Sequence, residues 1–304
     1  MTVSLIVPSP LPNIQRSVSL SPLTSYRIGG KAEWYASIRS KEELEQVFQW
    51  YAAQSIPLTF LGAGSNLLVS DEGLPGLVLS SRHLRYFSFD QETGQVTASA
   101  GEPIARIAWL AAKMGWSGLE WAVGIPGTVG GSVVMNAGAH NKSLSDVLVS
   151  AKIASCTGEF TTFKPEDFQF SYRSSLLQKQ PRMVVEATLQ LEPGYYRTTI
   201  MESTNNNLKK RRNSQPYDSP SCGSVFRNPH PQAAGWLIEQ MGLKGHQIGE
   251  AQVSQRHANF IINSGRAKAA DVFRLICYVQ EQAQKHWGIS LEPEVKMLGQ
   301  FPVV

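Results

Sequence analysis

Cysteine is scarce in this chain of 304 residues: Cys156, Cys222 and Cys277 lie far apart with no CxxC pair. That usage excludes a disulfide framework and a zinc knuckle and fits a reducing compartment; no metal is expected. Charge of one sign is equally sparse. The formal net charge is +4 and no basic stripe is interleaved with aromatics, so the excess points to phosphorylated small ligands and not to nucleic acid. Long hydrophobic runs are missing too, none approaching the roughly 20 apolar residues that cross a bilayer. Met1 to Pro8 carries no charged n-region and its apolar run breaks at Pro8, which argues against a signal peptide. Repeats and low-complexity tracts are absent. What is present is a globular composition, 42% apolar and 17% charged, long enough for two or three domains. The expectation is a cytoplasmic protein without membrane insertion.

Pro8, Pro10, Pro12 and Pro22 among serines predict a weakly ordered arm over residues 1–22, outside the fold. Ser40 to Glu43 reads as a capping box, and Leu44, Val47, Phe48 and Tyr51 repeat at helical spacing, so a helix is expected over 41–54. A strand should follow at Leu58 to Leu61. Pro103, the apolar face Ile104, Ile107, Ala108 and Ala111, and Gly115 mark a second helix. From Val147 to Leu191 short β-type runs predict a mixed or antiparallel sheet. Thr199 to Arg212 is polar and ends in Lys209, Lys210, Arg211 and Arg212, and a domain boundary is placed just before it. The last third reads as an α/β unit: helix Ala233 to Met241, strand Ala258 to Ile262, helix Ala269 to Trp287, and a strand around Glu294 to Leu298.

Two glycine loops carry the first chemistry. In Leu61-Gly62-Ala63-Gly64-Ser65-Asn66-Leu67, small residues after a strand let backbone amides converge on an anion. The third glycine of a dinucleotide fingerprint is missing and no helix pattern starts there, so a Rossmann reading fails. The second loop, Gly124-Ile125-Pro126-Gly127-Thr128-Val129-Gly130-Gly131-Ser132 with Asn136-Ala137-Gly138-Ala139, suits a chain lying flat against a large planar or pyrophosphate-bearing ligand. Ordinary tight turns are the alternative for either loop alone; their coincidence favours a cofactor site.

Together with Tyr26-Arg27-Ile28-Gly29-Gly30, these loops resemble the FAD-binding domain of the UDP-N-acetylenolpyruvoylglucosamine reductases, the MurB family of peptidoglycan synthesis. The resemblance continues through Phe170-Ser171-Tyr172-Arg173-Ser174-Ser175, Cys222-Gly223-Ser224-Val225-Phe226-Arg227-Asn228-Pro229 and Leu291-Glu292-Pro293-Glu294-Val295, and spans Tyr26 to Gly299. It implies an α+β fold with a PCMH-type (VAO-like) two-part FAD-binding domain, residues 23–80 and 81–197, plus a C-terminal α/β substrate-binding domain at 198–304. The short interval from Tyr172 to Arg197 fits the shorter, second type of the family.

The implied reaction is NADPH-dependent reduction of an enolpyruvyl ether on a UDP-amino-sugar through noncovalent FAD. The FAD positions implied are Gly62, Ala63, Gly64, Ser65 and Asn66 in the first loop and Gly124, Gly127, Thr128, Gly131, Ser132, Ala137 and Gly138 in the second. Arg173 matches the cation that steadies charge on the enolpyruvyl carboxylate, a role suited to a fixed guanidinium fork. Ser224 matches the proton donor, although a hydroxyl is a poor acid unless its site helps. Glu294 matches the catalytic glutamate. Glu292 is its rival, since alternate residues of a strand point the same way. Tyr172 and Asn228 are the implied substrate contacts, with turn chemistry the alternative for Asn228.

His257 reads as structural and the run Lys209 to Arg212 as a solvated helix face, so neither receives a role. Arg227 and Lys296 depart from the family pattern, which has lysine and arginine there. A flavin-dependent alcohol or aldonolactone oxidase is the first rival, but Lys31 stands after Gly30 where many such oxidases carry the histidine that links the flavin. The second is a nucleotide-binding module without chemistry.

Overall fold

The computed structural model describes residues 13–303. Three sheets of three or more strands are laid down in chain order among the described residues, and the last strand returns to pair with a strand of the first unit that lies outside its main sheet.

The first unit holds β1 (Ile14–Ser19), β2 (Lys31–Ser37), α1 (Lys41–Ala52), β3 (Leu58–Leu61), β4 (Leu67–Val69) and β5 (Leu74–Ser80). Its sheet runs β1-β2-β5-β3, with β1 antiparallel to β2 and the other pairs parallel. Helix α1 starts where Ser40 Oγ accepts from Glu43 N at 3.2 Å, and it buries Leu44, Val47 and Phe48 on the sheet. Here the arm expected over 1–22 is corrected from Ile14 onward; residues 1–12 lie outside the described residues. The prolines that inspired that expectation flank a proline-free stretch, Asn13 to Ser21. Its Ile14 and Leu20 are buried, and Arg16 stacks 4.0 Å over the Trp34 ring.

The second unit adds β6 (Phe87–Asp90), β7 (Gln95–Ser99), α2 (Ile104–Met114), α3 (Val129–Met135), the two-residue strands β8 (Gly138–Ala139) and β9 (Lys142–Ser143), β10 (Leu148–Ser155), β11 (Phe160–Phe163), β12 (Arg182–Gln190) and α4 (Arg197–Ser214). An antiparallel sheet β11-β10-β12-β7-β6 packs against α2 and α3. Two readings need correcting. The second glycine stretch contains a short helix, α3, capped by Thr128 Oγ1 accepting from Gly131 N. The polar segment that was to open the last domain is α4: Ile200 and Thr204 are buried, Leu208 packs on the second unit's core, and Asn207 Nδ2 donates to Glu120 O at 3.1 Å. A buried stripe at 200, 204 and 208 is narrow enough to vanish among polar neighbours. The helix belongs with α2, and the third unit begins after it.

That unit comprises α5 (Ala234–Gln240), β13 (Gln247–Ile248), β14 (Ala251–Val253), β15 (Ile261–Asn263), α6 (Ala269–Trp287) and β16 (Lys296–Leu298). Val272, Leu275, Ile276 and Val279 of α6 are buried, each worth about 1.5–3 kcal/mol of burial. Strand β16 leaves the unit and pairs in parallel with β4, Lys296 opposite Leu67. This return carries Glu294 to the first glycine loop.

Candidate functional site

A cavity of about 760 Å³ opens where the three units meet, within the range that takes a large cofactor. Its first wall is the loop Gly62 to Asn66 between β3 and β4. Gly64 has φ +68°, and a Cβ there would come within 2.2 Å of Leu23 O, so no other residue fits the turn. Arg82 Nη2 donates to Leu23 O at 2.9 Å and to Ala63 O at 3.0 Å, pinning the loop from behind. Ser65 Oγ donates to Pro126 O at 2.8 Å, tying it to the second loop. Among the described residues the amides of Gly64, Ser65 and Asn66 donate to no protein group, which leaves them for an anion.

The second wall comprises Gly127, Thr128, Gly131, Ser132, Ala137 and Gly138. Gly127 takes φ +145°, and a Cβ on Gly62 would approach Thr128 Oγ1 to 2.9 Å, so the loops face each other as bare backbone. Gly124 alone of the expected cofactor positions is off the lining. It lies beneath Arg211, and its carbonyl accepts from Tyr217 Oη at 2.8 Å.

The third wall carries the polar groups. Arg173 sits in a tight turn in which Ser171 and Ser174 exchange backbone hydrogen bonds, and its φ is +55°. The left-handed backbone aims the guanidinium inward: Nη2 donates to Gly138 O at 2.6 Å and Nε pairs with Glu294 Oε1 at 3.1 Å. Tyr172 lines the cavity with its ring 5.2 Å from the Arg173 guanidinium carbon. Burial raises the Glu294 carboxyl above the ordinary carboxylate value against the opposing pull of Arg173, Arg227 and Lys296, so its neutral form is brought closer to physiological pH. Asn66 Nδ2 donates to Glu294 O at 3.1 Å, joining the carboxylate segment to the first loop.

Glu292 does not share this position. It is 65% exposed against 16% for Glu294 and pairs with Arg227 at 2.8 Å. The expectation that the two point alike fails because the regular strand begins only at Lys296, while Pro293 makes an isolated bridge to Phe226.

Ser224 lines the cavity and its Oγ has no partner among the described residues. Gly223 before it has φ +84°, with nothing within 4 Å of where a Cβ would stand, so the glycine serves the turn and not a close approach. Cys222 is buried, and burial pushes its thiol up to about 12, so it stands there as a thiol and not as a reactive thiolate. Asn228 is exposed on the cavity rim. Its Oδ1 accepts from Ala234 N at 3.0 Å at the start of α5, leaving its amide hydrogens for a ligand. Thus turn chemistry and cavity lining hold together there.

Sequence reasoning missed Asn259. Buried beside the loop, it accepts from Phe226 N at 2.9 Å and donates to Phe226 O at 2.8 Å, fixing the backbone two residues after Ser224. An asparagine inside the apolar run Ala258 to Ile262 was the available signal, since a buried amide requires partners. His257 lies off the cavity against Phe260. Lys210 and Arg211 of α4 do line it, which a purely solvated helix face would not.

Residues 32–164 match the family model described as FAD binding domain, and residues 215–298 match that of the UDP-N-acetylenolpyruvoylglucosamine reductase C-terminal domain. The chain is 59% identical over 290 residues to the UDP-N-acetylenolpyruvoylglucosamine reductase of Synechocystis sp., covering 95% of this chain and 92% of the relative. To that of Acaryochloris marina it is 55% identical over 291 residues, covering 96% and 94%. The crystal structure of UDP-N-acetylenolpyruvylglucosamine reductase from Thermus caldophilus superposes with a TM-score of 0.80 at 35% identity, covering 94% of this chain and 99% of that one.

Proposed function

The chain belongs to the UDP-N-acetylenolpyruvoylglucosamine reductase family, and we propose that Arg173, Ser224 and Glu294 divide between them the work of reducing the enolpyruvyl ether of that UDP-sugar. The observation that carries this reading is their convergence, from three distant segments, on the cavity walled by the two glycine loops. FAD fits those loops: bare backbone on both walls suits a flat ring system, and the undonated amides of Gly64, Ser65 and Asn66 suit a pyrophosphate. When bound, FAD accepts hydride from NADPH and supplies it to C3 of the enolpyruvyl group.

The protein's residues then handle charge and a proton. Arg173, already aimed inward, holds the substrate carboxylate and steadies the enolate that grows on it as C3 is reduced. Ser224 delivers the proton to C2 from the opposite segment. Its hydroxyl needs help to act as an acid, and the cations Arg173, Arg227 and Lys296 around Glu294 lower the cost of a developing alkoxide. Glu294 orients Arg173 through their ion pair and is assigned the proton relay. Tyr172 and the Asn228 amide are assigned to the sugar nucleotide at the rim. Among the described residues no helix is long and apolar enough to cross a membrane, and a cytoplasmic site suits two soluble phosphorylated substrates.

Anaerobic spectroscopy tests the reading. The holoprotein should be yellow, bleach with NADPH, and regain its absorbance on addition of the UDP-enolpyruvyl sugar. Recovery only on admitting air would instead favour an oxidase.

A further inference from the structure

Arg227 reaches across the boundary between units. Its neighbours Val225 and Phe226 belong to the core of the third unit, whereas the turn carrying Arg173 is seated between Phe170 and Leu177 on the core of the second. The guanidinium forks: Nη1 meets Glu292 Oε1 at 2.8 Å and Nη2 donates to the backbone carbonyl of Arg173 at 3.2 Å. Glu292 is in turn fixed by its own carbonyl, which accepts from Arg227 N at 2.9 Å. Glu294 rides on the same assembly, its amide donating to Val225 O at 2.7 Å.

We propose that Arg227 is a positioning residue for the reduction: it clamps the left-handed backbone of Arg173, with Glu292 as its anchor, so that Arg173 is set in register with Ser224 and Glu294. This rests on the function proposed above. A non-glycine residue at positive φ is held at a cost that its surroundings must offset. Gln178 Nε2 also donates to Arg173 O, at 3.0 Å, but from the same unit, so it keeps the turn folded without registering it against the Ser224 segment. Arginine suits the clamp because its two terminal nitrogens diverge to two acceptors, whereas a lysine offers the same charge from a single nitrogen.

The test separates the two half-reactions of the holoenzyme by anaerobic rapid mixing. Arg227→Lys should reduce with NADPH at about the parental rate, while reoxidation by the UDP-enolpyruvyl sugar slows about 10- to 100-fold, the scale of a misplaced reacting group. Glu292→Gln should slow reoxidation in the same sense by a smaller factor. Calorimetric titration with the reduced sugar product should show weaker binding in both, because its carboxylate loses a well-aimed Arg173. Reoxidation of Arg227→Lys at the parental rate would overturn the clamp, as would equal slowing of both half-reactions with loss of bound flavin, the mark of a merely structural role. A parental enzyme that the sugar cannot reoxidise would overturn the proposed function, and this inference with it.

Discussion

Ser224→Ala is expected to leave bleaching of the flavin by NADPH within about two-fold of the parental rate and to slow its reoxidation by the sugar substrate about 10³-fold, inside the range for losing a general acid. The hydroxyl has no protein partner among the described residues, so its removal breaks no contact that holds the loop. The loop itself stays fixed by the paired hydrogen bonds of Asn259 to Phe226. Rapid-mixing absorbance of the two half-reactions checks the prediction; equal loss in both would mean that Ser224 supports cofactor binding instead.

Arg173→Met carries the second large effect. Removing the guanidinium takes away the carboxylate contact and the stabilisation of the growing enolate, a loss of about 10²–10³ in turnover by analogy with deleting one preorganised donor. It also leaves Glu294 without its nearest cation. Burial already raises that carboxyl, and Arg173 is the first of the opposing influences. Deleting it therefore raises the carboxyl further, and where the ionised form is required the acid limb of the kcat/KM profile moves to higher pH. Arg173→Lys, which keeps the charge but not the fork, should retain the limb while losing much of the rate. A pH profile of Arg173→Met identical to that of the parent would contradict this.

Residue type made the two glycine loops legible, and the family resemblance pointed to the rest of the proposed site. The loops need backbone without a Cβ, whereas Arg173, Ser224 and Glu294 were singled out by their places in family motifs, and the structure brings all three to one cavity. Helices α2 and α6 were legible from their broad apolar stripes, the first with Gly115 as its stop signal, and each ends at a left-handed glycine, Gly115 and Gly288. What failed has physical reasons too. Strand β1 was masked by the prolines around it, though pairing needs only the residues between. Helix α4 hides a narrow buried stripe among polar neighbours, so its docking on α2 depends on tertiary packing that no local pattern announces. The choice between Glu292 and Glu294 could not come from periodicity, since Pro293 and the late start of β16 send them apart. Arg227 drew notice only as a departure from lysine, because its partners are 54 positions upstream at Arg173 and at Glu292.

The central claim is that hydride goes to C3 while a proton, delivered by Ser224, goes to C2. Running the reaction in deuterium oxide with ordinary NADPH, and reading the product by nuclear magnetic resonance, tests it most directly. The account predicts deuterium at C2 in a single configuration, whatever label C3 takes up through the solvent-exchangeable N–H of reduced flavin, with Ser224→Ala forming that product only at its residual slow rate. Ordinary hydrogen at C2, or a mixture of configurations there, would contradict it.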